Sequence, residues 1–324
     1  MPGRKMQTLS DLKRSIRKAS QILLITHLNP DGDAVGSMLA LSVALQKMQK
    51  RTVCVCDGKI MEKYAFLKSA GEILKPDRID AVFDLAIAID CADQKRMGSA
   101  EKLFFAAKEN ANIDHHGTNE SFGRINIVHS VSSSGELIYE LIEELGTGLD
   151  AETAECLYTA ISTDTGNFTY SNTTKKALLY TAELIGLFDY TRTADYLYRT
   201  RTYENTRLIA KAIDNLSLYE EGRAALMYLC RSDLAEADVK NPDYEMIVNY
   251  ASEIDTVKVA VFLRELKDGG YKLSLRSSGD LDVAALCAEY GGGGHKNAAG
   301  CSMNAPFEEV KETILSAVKK LLNA

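Results

Sequence analysis

The sequence predicts an α/β protein with two domains, and three observations lead to that prediction. Short apolar runs alternate with amphipathic helical segments through the first half of the chain, which is the pattern of a parallel sheet with helical crossovers. After Gly222 the pattern changes to β-rich segments, which indicates a second, mixed α/β unit. The length of 324 residues also exceeds what one hydrophobic core commonly serves.

The N-terminal half has the pattern of five short strands that alternate with helices. The apolar run at 21–26 is too short for a helix and follows a helical segment at 8–20. Further strands are predicted at 52–56, 85–89, 111–113 and 124–128, and helices at 34–50, 64–74, 98–109, 133–145, 150–161 and 174–188. Because strands and helices alternate, we expect the sheet to be parallel.

The C-terminal half is predicted to follow a helical linker. Residues 193–218 continue the helical pattern, whereas the segments at 223–230, 257–266 and 271–276 are β-rich, and a helix is predicted at 282–290. The predicted organisation is a larger domain at 1–190, a helical linker at 191–218 and a smaller mixed α/β domain at 219–324.

Composition and charge narrow the classes of function. The net charge of −7 argues against a protein that grips long nucleic acid, because such proteins usually carry a basic surplus that neutralises many phosphates. It favours a small phosphate ester held at a few points. No apolar run approaches the ~20 residues that span a bilayer, and the basic start at 1–6 lacks the apolar stretch of a signal peptide. We therefore expect a cytoplasmic protein with no membrane partner.

Metal-competent side chains follow several of the predicted strands. Asp114-His115-His116 emerges directly after the run at 111–113, and His27-Leu28-Asn29-Pro30-Asp31-Gly32-Asp33 follows the first strand. Asp90 follows the third strand, and Asp164 lies in a Ser/Thr/Gly-rich turn after a predicted helix. Because ligands of parallel α/β sheets bind beyond the carboxyl ends of the strands, we expect these side chains to lie together. The structural alternatives are a solvated loop for the triplet and N-capping by one of the first two aspartates.

The candidate metal ligands are two imidazoles and four carboxylates: His27, Asp31, Asp33, Asp90, His115 and Asp164. Six ligands are too many for one catalytic zinc ion. They suit two divalent ions, and the mixture of nitrogen and oxygen donors favours Mn²⁺ over Mg²⁺. Two ions ~3.5–4 Å apart can deprotonate a water and stabilise the leaving oxygen of an in-line displacement. The expected reaction is hydrolysis of a phosphoester, with Asp90 on a central strand as the bridging carboxylate.

A glycine run in the C-terminal half is a candidate phosphate-binding loop. Gly291-Gly292-Gly293-Gly294-His295 bares backbone N–H groups, and such a loop can wrap a phosphate closely. His295 could donate a hydrogen bond to a phosphate oxygen, and Arg276 or Arg264, at the ends of neighbouring strands, could supply a bidentate contact. The alternative is a flexible connector without a ligand.

These motifs together make the sequence resemble the DHH phosphoesterases over nearly the whole chain. The residues that carry the resemblance are 27–33, Asp90, Asp114-His115-His116 and Thr163-Asp164-Thr165-Gly166 in the N-terminal half. In the C-terminal half, Gly291 to His295 followed by Asn297-Ala298-Ala299-Gly300 resembles the signature of the DHH-associated C-terminal domain. No motif position is substituted.

The resemblance implies a role for each motif residue. His27 and Asp31 would bind one Mn²⁺ ion, Asp33, His115 and Asp164 the other, and Asp90 would bridge them, with Mg²⁺ or Co²⁺ as substitutes. Asp114 would support the site, and His116 would face the scissile phosphate as the candidate acid. The active site would lie in an interdomain cleft, with substrate contacts from Arg264, Arg276, Gly292, Gly293, Gly294 and His295.

The resemblance also implies an activity. The short two-domain members of the family hydrolyse di- to about pentanucleotides of RNA or DNA to mononucleotides and dephosphorylate 3′-phosphoadenosine 5′-phosphate (pAp) to AMP. One alternative is a phosphodiesterase for cyclic di-AMP or linear dinucleotides. Another is a nucleotide sensor without turnover, for which we would expect a lost ligand, whereas all six are present. A homodimer is expected from the family likeness alone.

Overall fold

The computed structural model describes residues 9–267 and 269–323, so the basic start of the chain lies outside the described residues. The chain divides into two compact units, of which the first ends at Thr200 and the second begins at Arg201. We call them the N-terminal and the C-terminal unit. The division into a domain at 1–190, a linker at 191–218 and a domain at 219–324 stays a prediction. Among the described residues, no helix combines the length and the apolar character needed to cross a bilayer.

The N-terminal unit contains a five-stranded parallel sheet with the order β2-β1-β3-β4-β5, which confirms the predicted parallel α/β class. The strands are β1 (Gln21–Ile25), β2 (Arg51–Val55), β3 (Leu85–Ile89), β4 (Glu109–Asp114) and β5 (Ile125–Val128). Every residue of β3 is buried, as expected for a central strand that is covered on both faces. The three central strands β1, β3 and β4 therefore end side by side at one edge.

Helices cover both faces of this sheet. They are α1 (Leu9–Lys18), α2 (Gly32–Lys47), α3 (Glu101–Ala106), α4 (Ser134–Leu145), α5 (Ala151–Asp164), α6 (Lys175–Ile185) and α7 (Tyr190–Ala194), which continues as a π turn at Asp195–Arg199. Ile22 and Leu24 of β1 pack into a large core with α1, α2, α4 and α5, whereas Leu23 and Ile25 pack into a smaller core on the opposite face with Phe104 of α3.

Some predicted helices of the N-terminal unit are wrong or shifted. The segment at 64–74 forms only short 3-10 turns, because the backbone of Leu74 bonds with Cys54 and Cys56 beside β2 and must therefore be extended. The helix predicted at 98–109 begins only at Glu101, since Gly98 has a left-handed backbone with φ of 60°. The residues from 109 onward belong to β4.

Two further boundaries differ from the prediction. Asp164 is the last residue of α5 rather than a turn residue. The helix predicted at 193–218 is interrupted after Arg199, and a new helix, α8 (Tyr203–Asp214), begins where the side chain of Thr202 accepts a hydrogen bond from the Asn205 N–H. Such a capping hydroxyl marks a helix start.

The C-terminal unit contains a six-stranded mixed sheet with the order β10-β11-β9-β8-β7-β6, which confirms the predicted mixed α/β class. Its strands are β6 (Ser217–Tyr219), β7 (Ala224–Leu229), β8 (Val259–Glu265), β9 (Tyr271–Ser277), β10 (Gly293–His295) and β11 (Ala298–Met303). Its helices after α8 are α9 (Arg231–Glu236), α10 (Ile247–Ser252), α11 (Val283–Ala288) and α12 (Phe307–Leu322). Among the described strands of this sheet, β7 and β8 are the only pair that runs parallel.

The two faces of this sheet are covered differently. Leu273 and Leu275 of β9 point to one face, where Val283 of α11 and Ile314 of α12 complete a core. On the other face, residues of α8 and α10 pack against the alternate residues of β7 and β8, such as Phe262. Lys272, Ser274 and Arg276 are the alternate residues of β9, and all three are only half-buried.

The sequence suggested a flexible loop for the glycine run, but the structure shows that part of the run is a β-strand. Gly293, Gly294 and His295 form the edge strand β10, which pairs antiparallel with β11. A Cβ on Gly292 would lie 2.2 Å from the carbonyl oxygen of Gly300, and Gly294 has φ of +148° beside the Ala298 carbonyl oxygen. Glycine is required at these two positions because of close backbone approach and an unusual backbone angle.

Candidate metal centre

The candidate ligands meet at the carboxyl edge of the parallel sheet. His27 follows β1, Asp90 follows β3, Asp114 ends β4, and His115 comes next. The backbone of Asp90 turns sharply at the strand end, with φ of +59°, while its N–H still donates to the Ile113 carbonyl of the neighbouring strand. Such an angle is strained for a residue other than glycine and is often found at functional sites.

The first group consists of His27, Asp31 and Asp90, whose ligand atoms lie within 4.8 Å of one another. His27 Nε2 lies 3.4 Å from Asp90 Oδ2, and both side chains are buried. Asp31 is also the N-cap of α2, because its Oδ1 accepts a hydrogen bond of 3.0 Å from the Ala34 N–H. The capping alternative is therefore realised for Asp31, and its carboxylate still belongs to the group.

The second group consists of Asp33, His115 and Asp164, again within 4.8 Å of one another. His115 Nε2 lies 3.7 Å from Asp33 Oδ2 and 3.5 Å from Asp164 Oδ2. It also lies 3.5 Å from Asp90 Oδ1. Asp90 thus directs one oxygen to each group and lies between the two.

The chemistry of the donor set fits divalent cations. Asp164 Oδ2 and His27 Nδ1 are buried without a hydrogen-bond partner, and buried polar atoms of that kind call for a partner of another sort. Burial, together with the negative charges of Asp90, Asp164 and Asp31, raises the pKa of Asp33 well above its usual value. A cation placed among these carboxylates would relieve their mutual repulsion.

The pKa values of Asp164 and Asp90 are shifted in opposite directions. Burial and the charges of Asp31 and Asp90 raise the pKa of Asp164 to about 7, although His115 acts in the opposite direction. Burial alone would also raise the pKa of Asp90, but its hydrogen bond with His27 and the nearby His116 and His115 lower it overall. Of Asp33, Asp90 and Asp164, Asp90 is therefore the carboxylate that stays ionised most easily.

His116 and Asp114 form a pair beside the two groups. His116 Nδ1 lies 2.8 Å from Asp114 Oδ1, and Asp114 is completely buried. Burial would lower the pKa of His116, but the hydrogen bond to Asp114 and the charges of Asp90 and Asp114 raise it to about 9. The imidazole is thus held with Nδ1 toward Asp114, so that Nε2 is the nitrogen that can deliver a proton.

The N-terminus of α4 binds two of the candidate ligands, Asp33 and Asp90, and the sequence gave no sign of these contacts. The Ser134 N–H donates to Asp33 Oδ2 at 2.6 Å, and the Gly135 N–H donates to Asp33 Oδ1 at 2.9 Å. The Ser134 hydroxyl lies 3.0 Å from Asp90 Oδ1. A helix N-terminus favours negative charge. The sequence predicted a helix at 133–145, but it gave no sign of the carboxylates that the N-terminus of this helix would bind.

Asn119 also contacts the site without a signal in the sequence. Its Nδ2 lies 2.6 Å from Asp114 Oδ2 and 2.8 Å from the Oδ1 of the buried Asn112. Asn119 therefore orients the carboxylate that in turn orients His116. Supporting hydrogen bonds of this kind set the orientation and basicity of catalytic groups.

Close helix packing brings Asp33 of α2 to Asp164 of α5. A Cβ on Gly36 would lie 2.4 Å from the Cys156 carbonyl oxygen and 2.9 Å from the Ala160 backbone nitrogen, both in α5. The backbones of the two helices therefore touch at this glycine, one turn beyond Asp33.

In the C-terminal unit the structure places the predicted substrate contacts on one sheet. His295 pairs with Ala298, and Ala298 pairs with Arg276, so His295 and Arg276 lie in one row on the same face. Arg264 lies on β8 four residues beyond Ala260, the register partner of Arg276, and its guanidinium lies 4.1 Å from the ring centroid of Tyr244. A stacked arginine of this kind keeps a defined orientation.

The buried set of carboxylates and imidazoles at the carboxyl edge of the parallel sheet is a candidate metal centre, the kind of site that metal-dependent hydrolases use. Residues 21–161 match the family model of the DHH family, N-terminal domain, and residues 222–324 match the DHHA1 domain. The bifunctional oligoribonuclease and PAP phosphatase NrnA of Thermus thermophilus is 31% identical over 98% of this chain and 94% of its own length. The protein of that name from Bacillus subtilis is 30% identical over 91% and 93%.

A solved structure agrees with these matches. The crystal structure of an exopolyphosphatase-related protein from Bacteroides fragilis superposes with a TM-score of 0.89 at 29% identity, covering 98% of both chains. The chain belongs to the DHH family of phosphoesterases. It is therefore an enzyme that hydrolyses phosphoester bonds, and the family is metal-dependent.

Proposed function

We propose that this enzyme uses two divalent cations to cut very short oligonucleotides to mononucleotides and to remove the 3′-phosphate of pAp. The observation that carries the proposal is Asp90, whose two oxygens face two separate groups of donors at 3.4 and 3.5 Å. The names of the two bacterial relatives, which join oligoribonuclease and PAP phosphatase, support the choice of substrates.

In this proposal the two groups each hold one ion. His27 and Asp31 would hold the first ion, while Asp33, His115 and Asp164 would hold the second. Asp90 would contact both. The mixture of imidazole and carboxylate favours Mn²⁺, with Mg²⁺ or Co²⁺ as substitutes. When bound, such ions polarise the phosphoryl group and make a water nucleophilic at neutral pH.

In this proposal, the protein itself supplies the proton for the leaving oxygen, and His116 is the residue that donates it. Asp114 and Asp90 raise the pKa of His116 to about 9, which favours the protonated imidazole at neutral pH. It can therefore act as the general acid that protonates the leaving oxygen, a step that contributes typically 10²–10⁴-fold, of the order of a thousandfold, to the rate. Asp114 keeps the imidazole in the tautomer that leaves Nε2 as the donor.

The C-terminal unit would anchor the substrate through its phosphate. Arg276 offers a planar fork that suits a phosphate, and His295 stands in the same row of the sheet. Gly292, Gly293 and Gly294 would provide close backbone approach, and Arg264 a further positive charge. A homodimer is part of the same proposal.

Product analysis after incubation with candidate substrates tests the proposal. The substrates are pApA, pAp, cyclic di-AMP and a long single-stranded RNA, each with Mn²⁺ and with EDTA. Inorganic polyphosphate is added because the Bacteroides fragilis relative is described as exopolyphosphatase-related. We expect Mn²⁺-dependent release of AMP from pApA and pAp, with little action on the long RNA.

The other outcomes would each point to a different function. Preference for cyclic di-AMP would favour a cyclic-dinucleotide phosphodiesterase. Tight binding without turnover of any substrate would favour a nucleotide sensor, and preference for polyphosphate would contradict a nucleotide substrate. The Asp90→Asn variant serves as the inactive control.

A further inference from the structure

One face of the C-terminal sheet presents a strip of positive side chains that extends beyond Arg276. The strip lies on the outer strands β9, β11 and β10, on the face opposite α11 and α12. Its residues alternate with the buried Leu273 and Leu275, so they point to the same side. We call it the β9 strip, and it consists of three register rows.

The rows follow from the pairing of the strands. The first row is His295, Ala298, Arg276 and Ala260; the second is Gly293, Gly300, Ser274 and Phe262; the third is Ser302, Lys272 and Arg264. Successive rows are two residues apart, which is about 6.6 Å along a strand. None of the residues in these three rows is acidic, although the chain as a whole has a net charge of −7.

The middle row has no large side chains at its three outer positions, Gly293, Gly300 and Ser274. We call these three positions the floor. Gly293 and Gly300 have no side chain, and Ser274 has only a hydroxyl. A Cβ on Gly293 would meet nothing within 4 Å, so space is open above this position. A group with the volume of a phosphate can therefore lie directly on the backbone here.

Lys272 reaches from the third row back over this floor. Its Nζ lies 3.8 Å from the place where a Cβ on Gly300 would stand. The ammonium group is thus displaced from its own row toward the row of Arg276. Arg264 stands directly opposite Lys272 on β8, so the third row places two cationic side chains beside the floor.

We propose that Lys272 and the floor of Gly293, Gly300 and Ser274 form a second phosphate subsite, which serves substrates of three or more nucleotides. The inference rests on the proposed function. Both pAp and pApA carry two phosphate groups, one to be hydrolysed and one for Arg276 and His295. A third phosphate is first available in pApApA, and the strip offers it the next cation along β9. Lys272 is therefore a residue that sets the preference for substrate length.

Steady-state kinetics of Lys272→Ala with pAp, pApA and pApApA test this subsite. A charge-assisted hydrogen bond to phosphate is worth enough to raise KM for pApApA about tenfold. We expect kcat to be unchanged and KM for pAp and pApA to stay within about twofold of the wild type. The slope of log KM against log salt should fall by about 0.7 for pApApA only, as for one lost phosphate contact on a single strand.

Two further variants separate charge from structure. Lys272→Arg keeps the positive charge and should restore most of the preference. Lys320→Ala removes an exposed lysine from α12, which packs on the opposite face of the sheet, and should change nothing. Equal KM changes for all three substrates, or no change for pApApA, would overturn the proposal.

The outcome for the subsite is separable from the outcome for the proposed function. Turnover of pAp and pApA by the wild type is the test of the function. If the wild type turns over none of the three nucleotides, equilibrium binding of the same three to the wild type and to Lys272→Ala still tests the subsite. A selective loss of affinity for pApApA would support it, and an unselective loss or none would refute it.

Discussion

Substitution of Gly36 by alanine should weaken metal binding although Gly36 is not a ligand. The new Cβ would lie 2.4 Å from the Cys156 carbonyl oxygen, whereas ordinary van der Waals contact begins at 3.4 Å. The two helices must therefore separate locally by the difference, 3.4 − 2.4 = 1.0 Å. Asp33 is one turn from Gly36 on α2, and Asp164 ends α5, so the separation is transmitted to two ligands of the same group.

The magnitude follows from the geometry. A displacement of 1 Å in a catalytic group can cost about 10²-fold, and we expect a similar loss of affinity for Mn²⁺. An ion that binds with a hundredfold lower affinity would contribute about 2.7 kcal/mol less to the free energy of unfolding when the ion is in excess. In EDTA the change in the free energy of unfolding should be small. Overpacking costs about 1–3 kcal/mol, and the higher helix propensity of alanine than of glycine, worth about 1 kcal/mol, offsets part of that cost.

The assay is titration calorimetry with Mn²⁺, combined with denaturant unfolding in Mn²⁺ and in EDTA. Gly186→Ala is the matched control, because a Cβ at Gly186 would meet nothing within 4 Å. An unchanged affinity for Mn²⁺ in Gly36→Ala, together with the stability gain expected at an open helical glycine, would refute the reasoning.

Three further predictions test the site. Ser134→Ala removes the hydroxyl that bonds Asp90 and should lower metal affinity or kcat about tenfold. Ser133→Ala is the matched control. The Ser133 hydroxyl is buried without a hydrogen-bond partner, so its removal should have little effect on either quantity. His116→Ala should lower kcat at least a hundredfold with nearly unchanged Mn²⁺ affinity by calorimetry, whereas Asp90→Ala should lose the metal as well; equal metal loss in both would contradict the assigned roles. In EDTA, the raised pKa of Asp164, about 7 against 3.8, means that the folded state holds a proton that the unfolded state has lost. Stability measured by denaturant should therefore fall as the pH rises from about 4 to 7, by at most about 4 kcal/mol from this group. Asp164→Asn should flatten that slope, and an unchanged slope would exclude Asp164 as its cause.

Much of the N-terminal unit could be predicted because its signals are local. The strands at 85–89 and 21–25 are uninterrupted apolar runs, and a parallel sheet brings the residues beyond its strands to one edge. His27, Asp90 and His115 could therefore be placed together from the sequence. The helix predicted at 64–74 is wrong. Its apolar residues, such as Tyr64 and Leu67, are buried one by one in the core and do not form one face of a helix. The end of the segment is extended because Leu74 bonds with residues beside β2.

The supporting residues could not be predicted, because their partners are distant in the chain. Ser134 is 44 residues from Asp90 and 101 residues from Asp33. A serine before a helix predicts a cap, but which carboxylate it binds depends on how α2 and α4 pack. Asn119 is closer to Asp114 in sequence, yet it lies in a loop with no periodic pattern, so only the fold reveals that it bonds a buried carboxylate.

Glycine has a different structural role in each of the two units. At Gly36 the missing side chain lets two helical backbones touch, which brings carboxylates of like charge close enough to need a cation between them. At Gly293 the missing side chain leaves open space beside Lys272 and Arg276, which suits an anion. The sequence marks glycine in both cases, but the sign of the charge that the position favours follows from the neighbours that the fold supplies. A methyl group should therefore impair metal binding at Gly36, whereas at Gly293 it should impair phosphate binding and leave metal affinity unchanged.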